Sequence, residues 1–251
     1  MKLLEAKDHI EMSRLAADII LEQIRAKSNA VLGLATEGTV LKTYQELILN
    51  HKVHGTSFAQ VRTFNLDEYV GLSKNHENSY HAYMKKHLFD EINIQSSNTN
   101  LPNGEAKDLE KECISYESMI HKMGGIDLQL LGIGQNGHIG FNEPGTSFNS
   151  KTQIIELEKS TRIANSRYFN SLDEVPTHAV TMGISTIMQS KKVLLLASGL
   201  QKASILYELF NSEVTDVIPA TILKEHPNVI IIADQEALSK LHQVKGNVYA
   251  K

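Results

Sequence analysis

Several short runs dense in valine, isoleucine and leucine recur along this chain, and they restrict its fold more than any other feature. They are Ala30 to Ala35, Val61 to Leu66, Ile126 to Ile133, Val193 to Ala197 and Val229 to Ala233. Most end in a polar, glycine-containing loop, and longer stretches with helical spacing separate them. Ile10 to Ile24 carries Ile10, Leu15, Ala17, Ile20 and Ile24 at that spacing, and Ser79 to Phe89, Leu109 to Met123, Ala179 to Met188 and Lys202 to Phe210 read as helices in the same way. Continuous apolar strands alternating with helices predict an α/β fold of three layers, a mostly parallel central sheet with helices on both faces. With no internal repeat or Pro/Ser-rich linker, residues 1–251 are expected to form a single domain.

Charge and residue usage narrow the function. The formal net charge is −4 with no block of like charges, so the basic stripe that releases counterions from a nucleic-acid backbone is missing and no nucleic acid is expected as a partner. No apolar run approaches a membrane span. The start MKLLEAKDHIEM lacks the basic and apolar regions of a secretory signal, and Cys113 is the only cysteine, so the cytoplasm is the expected compartment. No metal is expected. Among 11 histidines, His51 and His54 have no second ligand pair nearby, no H-E-x-x-H occurs, and one cysteine cannot build a zinc site.

Ligands of open parallel sheets bind beyond the carboxyl ends of the strands, which makes the loops there informative. Ala35 is followed by TEGT, Leu66 by DEYVGL, Ile133 by GQNGHIGFNEPG and Ala197 by SGLQK. Together they offer a hydroxyl and glycine turn, a carboxylate pair, a His/Glu cluster and a lysine, the makings of an anion site beside acid/base groups. Gly132 to Gly137 matches the letters of a dinucleotide fingerprint, but the chain runs on through His138, Gly140, Pro144 and Gly145 instead of opening a helix. That context argues against a dinucleotide. Two readings of the loop remain: a glycine-rich connection with a surface histidine, or a bent backbone that turns His138 and Glu143 toward one cavity. Asp67 and Glu68 likewise read either as helix-capping acids or as a base for proton removal from carbon.

The segments FNLDEYVGL, GIGQNGHIGFNEPGTSF, TRIANSRYF and SGLQK, in that order, resemble the glucosamine-6-phosphate deaminase family from about Leu32 to Ala233, and SYHAYMKKHLFD, LPNGEA and HPNVIII lie between and beyond them. The loop ending in FNEPG is the most specific piece. The resemblance implies a Rossmann-like sheet of the ribose-5-phosphate isomerase and CoA-transferase kind. It implies a small-molecule substrate, glucosamine 6-phosphate, converted with water to fructose 6-phosphate and ammonia in amino-sugar breakdown, with no cofactor. It assigns ring opening to His138, oriented by Glu143 and Asn136, and movement of the C2 proton to Asp67, while Glu68 is left a structural role. An amide at Asn136 can hold a ring N–H through its carbonyl but brings no charge, so Glu143 is expected to carry more of the tuning. Thr36, Gly38, Thr39, Arg167 and Lys202 match phosphate-binding positions. The alternatives are a 6-phosphogluconolactonase, disfavoured by FNLDEY and FNEPG, and a non-catalytic sugar-phosphate sensor, disfavoured by Asp67, His138 and Glu143 all being present.

This chain departs from that family pattern in two places. Glu37 stands where a glycine is usual and Val40 where proline is common. A carboxylate about 4 Å from a phosphate charge costs about 4 kcal/mol at an effective dielectric near 20, and a β-carbon strains a turn that wants positive φ. Weaker substrate affinity with an unchanged reaction is therefore expected. Gln153 and Ile155 replace two cations of allosteric relatives, and the sequence ends soon after Leu241, so activation by N-acetylglucosamine 6-phosphate is not expected. A monomer or small homo-oligomer fits the loss of those features.

Overall fold

The computed structural model describes residues 1–248. In chain order its strands are β1 Lys2–Ala6, β2 Val31–Leu34, β3 Arg62–Asn65, β4 Asp67–Tyr69, β5 Thr99–Asn100, β6 Leu128–Gly132, β7 Gln153–Glu156, β8 His178–Thr181, β9 Val193–Ala197 and β10 Val229–Asp234. Its α-helices are α1 His9–Ala26, α2 Gly38–His54, α3 Tyr80–His87, α4 Leu109–Lys122, α5 Lys159–Asn165, α6 Ile184–Met188, α7 Ala203–Asn211 and α8 Gln235–Val248.

A seven-stranded sheet in the order β1-β10-β9-β6-β2-β3-β5 runs through the centre, with every neighbouring pair parallel. Its middle is the most apolar part: β9 is buried at every position, and Val193 to Ala197 stand opposite Val229 to Ala233 residue for residue. Such strands need cover on both faces. The helix pair α1 and α2 packs on the sheet, as does the pair α7 and α8. The carboxyl of Asp8 caps α1 by accepting from the Glu11 amide, and the helix buries Met12, Ala16, Ile20 and Ile24. Ile10, placed on that face by spacing, is instead exposed. Among the described residues no helix is long and apolar enough to cross a membrane.

The apolar runs each contain a strand of the central sheet, with ends trimmed by a residue or two at β2, β3 and β6. One predicted helix is wrong. Ala179 to Met188 forms the end of β8, a break at Gly183 and then the short α6. Its apolar residues suit a helix, but β8 is claimed as the central strand between β4 and β7, and tertiary pairing overrides local spacing. Gly183 lies so close to the carbonyls of Ser150 and Lys151 that a β-carbon there would sit 2.3 Å from both oxygens. The small antiparallel sheet β4-β8-β7, together with β1, β5, α2, α5 and α8, is absent from the predicted set. It matters because Asp67, expected in a loop, begins β4 opposite Thr181.

Candidate active site

Beyond the carboxyl ends of β2, β3, β6 and β9 opens a cleft of about 1100 Å³. Of the residues singled out above, Thr36, Gly38, Thr39, Asp67, Asn136, His138, Arg167 and Lys202 line it. Glu143 does not. It is buried behind His138, where a carboxylate acts on the ring rather than on a ligand.

The loop after β6 is shaped by what its glycines omit. Gly137 donates to the Gly134 carbonyl, and Gly134 to the His138 carbonyl, folding the chain back on itself. The imidazole then lies across Gly134, where a β-carbon would come within 2.3 Å of the ring. His138 Nδ1 stands 3.3 Å from Glu143 Oε2. Glu143 also accepts from Asn136 Nδ2 at 2.7 Å and from Thr161 Oγ1 at 2.6 Å. Burial opposes charge on this carboxyl, but the contact and charge of the His138 ring, then Thr161 and Asn136, outweigh it and hold it down at about 2. Asn136 is not on the ring, contrary to expectation: its amide nitrogen serves Glu143, and its oxygen accepts from the His138 backbone at 3.3 Å. Asn136 thus steadies the histidine through Glu143 and the main chain. Thr161, in the TRIAN stretch, was not singled out. A threonine hydroxyl has many uses, and only the fold brings it to Glu143.

Asp67 is 7% exposed, and no hydrogen bond from the described residues supports its carboxylate. Burial, then the charges of Glu68 and Glu37, push it well above the carboxylate range. Glu68, one residue on, has the opposite surroundings. It accepts from the amides of Tyr69, Tyr80 and His81 and from His81 Nδ1, tying β4 to the start of α3. That is the structural role expected of it.

Thr36 to Thr39 lead from β2 into α2. The Thr36 hydroxyl is buried with no partner, and Glu37 holds the N-cap position without capping, so the first amides of α2 face the cleft uncapped. The strain expected at Glu37 is absent, because its backbone is extended at φ −160° and ψ 172°. Its carboxyl turns inward and rests against Gly132, where a β-carbon would fall 1.4 Å from Oε1. That oxygen is buried and unpartnered. Burial raises its proton affinity, against the pull of Lys202, His138 and Arg167. Lys202 donates to the Ile133 carbonyl across the cleft floor, and burial depresses its proton affinity while Glu37 supports it. Arg167 is exposed at the rim with its guanidinium 4.8 Å from the Tyr168 ring centre. Two further lining residues were not foreseen: Tyr83, whose hydroxyl bonds the Glu37 carbonyl at 2.8 Å, and His9, whose ring lies 3.0 Å from the Thr39 carbonyl. Among the described residues no three His, Cys, Asp or Glu side chains converge as a metal site.

The parallel sheet, the cleft beyond its carboxyl ends and the acid/base and cationic groups inside define an α/β enzyme with a small-molecule site. The chain belongs to the family described as glucosamine-6-phosphate isomerases/6-phosphogluconolactonase, whose model matches residues 7–231. It is 57% identical over 251 residues to glucosamine-6-phosphate deaminase of Geobacillus sp. (strain WCH70), covering 100% of both chains. It is 55% identical over 237 residues to the same enzyme of Bacillus pumilus (strain SAFR-032), covering 94% of this chain and 98% of the relative. A solved structure of a monomeric glucosamine-6-phosphate deaminase superposes with a TM-score of 0.94 at 48% identity, covering 96% of this chain and 100% of the other. The 6-phosphogluconolactonase of Trypanosoma cruzi shares the fold alone, with a TM-score of 0.77 at 19% identity and 96% of both chains covered.

Proposed function

We propose that this chain, as a single domain, converts glucosamine 6-phosphate and water into fructose 6-phosphate and ammonia. The observation that carries the reading is one cleft holding a solitary buried carboxylate, Asp67, and a histidine backed by a buried carboxylate, His138 with Glu143. Those are two separate proton-moving devices, and the reaction needs two.

The closed sugar must first open, which shifts a proton from the O1 hydroxyl to the ring oxygen. His138 does this, because an imidazole can both accept and donate near neutral pH, and Glu143 steadies the charged ring. Asp67 then takes the C2 proton, giving an enolamine, and returns a proton to C1. Its lack of hydrogen-bond donors makes its carboxylate a strong base, which suits removal of a proton from carbon. Water adds to the resulting C2 imine and ammonia leaves. The C2 amine and C1 carbonyl supply the electronic activation, so no cofactor is called for. The phosphate sits among the Thr36 hydroxyl, the α2 amides at Gly38 and Thr39, and the side chains of Lys202 and Arg167.

The enzyme works in the cytoplasm as a monomer or small homo-oligomer, without activation by N-acetylglucosamine 6-phosphate. Gln153 and Ile155, both on β7, offer no charge to a second sugar phosphate. The test is ammonia release against glucosamine 6-phosphate concentration, with and without the acetylated sugar phosphate. Saturable, hyperbolic release that the effector leaves unchanged is expected. No release, with the sugar phosphate still bound, would make the protein a sensor instead.

A further inference from the structure

Glu37 is a half-buried acid, its Oε1 fully covered, at the end of the cleft where the proposed mechanism seats the phosphate, and that mechanism has no use for it. Its Oε1 has no hydrogen-bond partner and lies on Gly132, and Glu37 lines the cleft together with Gly132, Ile133 and Lys202. The titratable and charged groups around it are Lys202 after β9, His138 after β6, Arg167 after α5, Asp67 on β4, Tyr44 on α2 and Tyr83 on α3. Without a ligand, Lys202 and Arg167 offset the carboxylate charge. A sugar phosphate brings about 1.5 to 2 negative charges of its own and competes for the same cations. Two anions cannot share that buried corner at full charge.

We propose that Glu37 is a resident anion at the phosphate end of the cleft, and that a proton from water settles on its carboxylate as the sugar phosphate binds. The inference rests on the sugar-phosphate reading given above. Burial already favours the protonated form, and an incoming phosphate adds to that bias by withdrawing the cations. The protonated acid then has an O–H to donate toward a phosphate oxygen. Binding is in this way coupled to proton uptake, so affinity falls as pH rises, by up to about tenfold per pH unit for one proton. A Glu37 that simply swings out to solvent would bind no proton.

Calorimetric titration with fructose 6-phosphate in ammonia-free buffers of different ionisation heat measures the proton directly. Without ammonia the reverse reaction cannot run. Working above about pH 7 keeps the phosphate's own second ionisation largely out of the count. The parent protein is expected to take up close to one proton more than Glu37→Gln, whose affinity varies less with pH. Should Glu37→Gln fail to fold, Glu37→Gly serves, since it removes the acid and leaves Gly132 uncrowded. Equal proton uptake by parent and variant would overturn the proposal while leaving the sugar-phosphate reading intact. Absence of fructose 6-phosphate binding to both would remove that reading, and the proposal with it.

Discussion

The Nδ1 of His138 stands 3.3 Å from Oε2 of Glu143, and the same oxygen accepts a hydrogen bond from Asn136. The carboxyl is held at about 2, so it keeps its charge throughout the working range, and in the proposed ring opening that charge is what steadies the imidazolium. Glu143→Gln keeps the size and loses the charge. It is expected to lower kcat about 100-fold or more, with a smaller change in KM, because a positioned acid/base contributes about 10² to 10⁴. Steady-state kinetics of the variant checks this, and an unchanged kcat would remove Glu143 from ring opening.

Asp67 gives a pH dependence with a definite sign. Burial, Glu68 and Glu37 all raise its proton affinity, and in the proposed reaction it must be ionised to accept the C2 proton. The acidic limb of kcat/KM is therefore expected above the ordinary aspartate value of about 3.9. Activity rises with pH through that limb. Glu37→Gln removes one of the raising charges, so its limb is expected at lower pH than the parent's.

Gly132 and Glu37 are coupled through space, since a β-carbon on the glycine would lie 1.4 Å from the carboxylate. Gly132→Ala is expected to cost about 1 to 3 kcal/mol in the parent, the usual penalty of overpacking a filled site. With Glu37→Gly already in place, less than about 0.5 kcal/mol is expected, since the pair in contact no longer couples. Denaturant unfolding of the two single variants and the double variant measures the difference.

Asp127 lies at the opposite, amino-terminal end of the central sheet and tests stability without touching the cleft. Its carboxylate accepts from Lys27, Lys191 and the Val31 amide. Burial opposes its charge, but Lys191, Lys27 and the Val31 amide prevail and lower its proton affinity. A depressed folded value means the stabilisation is present above the unfolded value of about 3.9 and is lost as pH falls through the folded one. Asp127→Ala leaves the Val31 amide buried without an acceptor and is expected to cost about 1 to 3 kcal/mol. Its melting temperature should fall while kcat stays that of the parent.

What the sequence could disclose depended on how local the physics was. Val193 to Ala197 and Val229 to Ala233 announce their strands because a strand buried on both faces has apolar residues at every position. β1 does not: Glu5 and Lys2 interrupt it, and it is a strand because β10 offers an edge. α2 shows a weak stripe, burying only Val40, Thr43, Tyr44 and Leu47. In the site, the loop after Ile133 is conspicuous in the sequence, and its glycines, with Gly132 just before it, make room for the side chains of Glu37, His138 and Ile218. The inward turn of Glu37, the Thr161 bond to Glu143 and the attachment of Asn136 to Glu143 join residues set by tertiary geometry. No spacing rule reveals such contacts.

In the proposed reaction Asp67 carries the proton between C2 and C1. The direct measurement is ammonia release from glucosamine 6-phosphate by the parent and by Asp67→Asn, run in deuterium oxide with the fructose 6-phosphate product examined for deuterium at C1. With Asp67 as the carrier, part of the sugar's own C2 hydrogen is expected at C1 of the parent's product, which then holds less than one full deuterium there, and kcat is expected to fall by about 10³ in Asp67→Asn with sugar-phosphate binding retained. Release by Asp67→Asn within about tenfold of the parent would contradict it and send the search for the base elsewhere in the cleft.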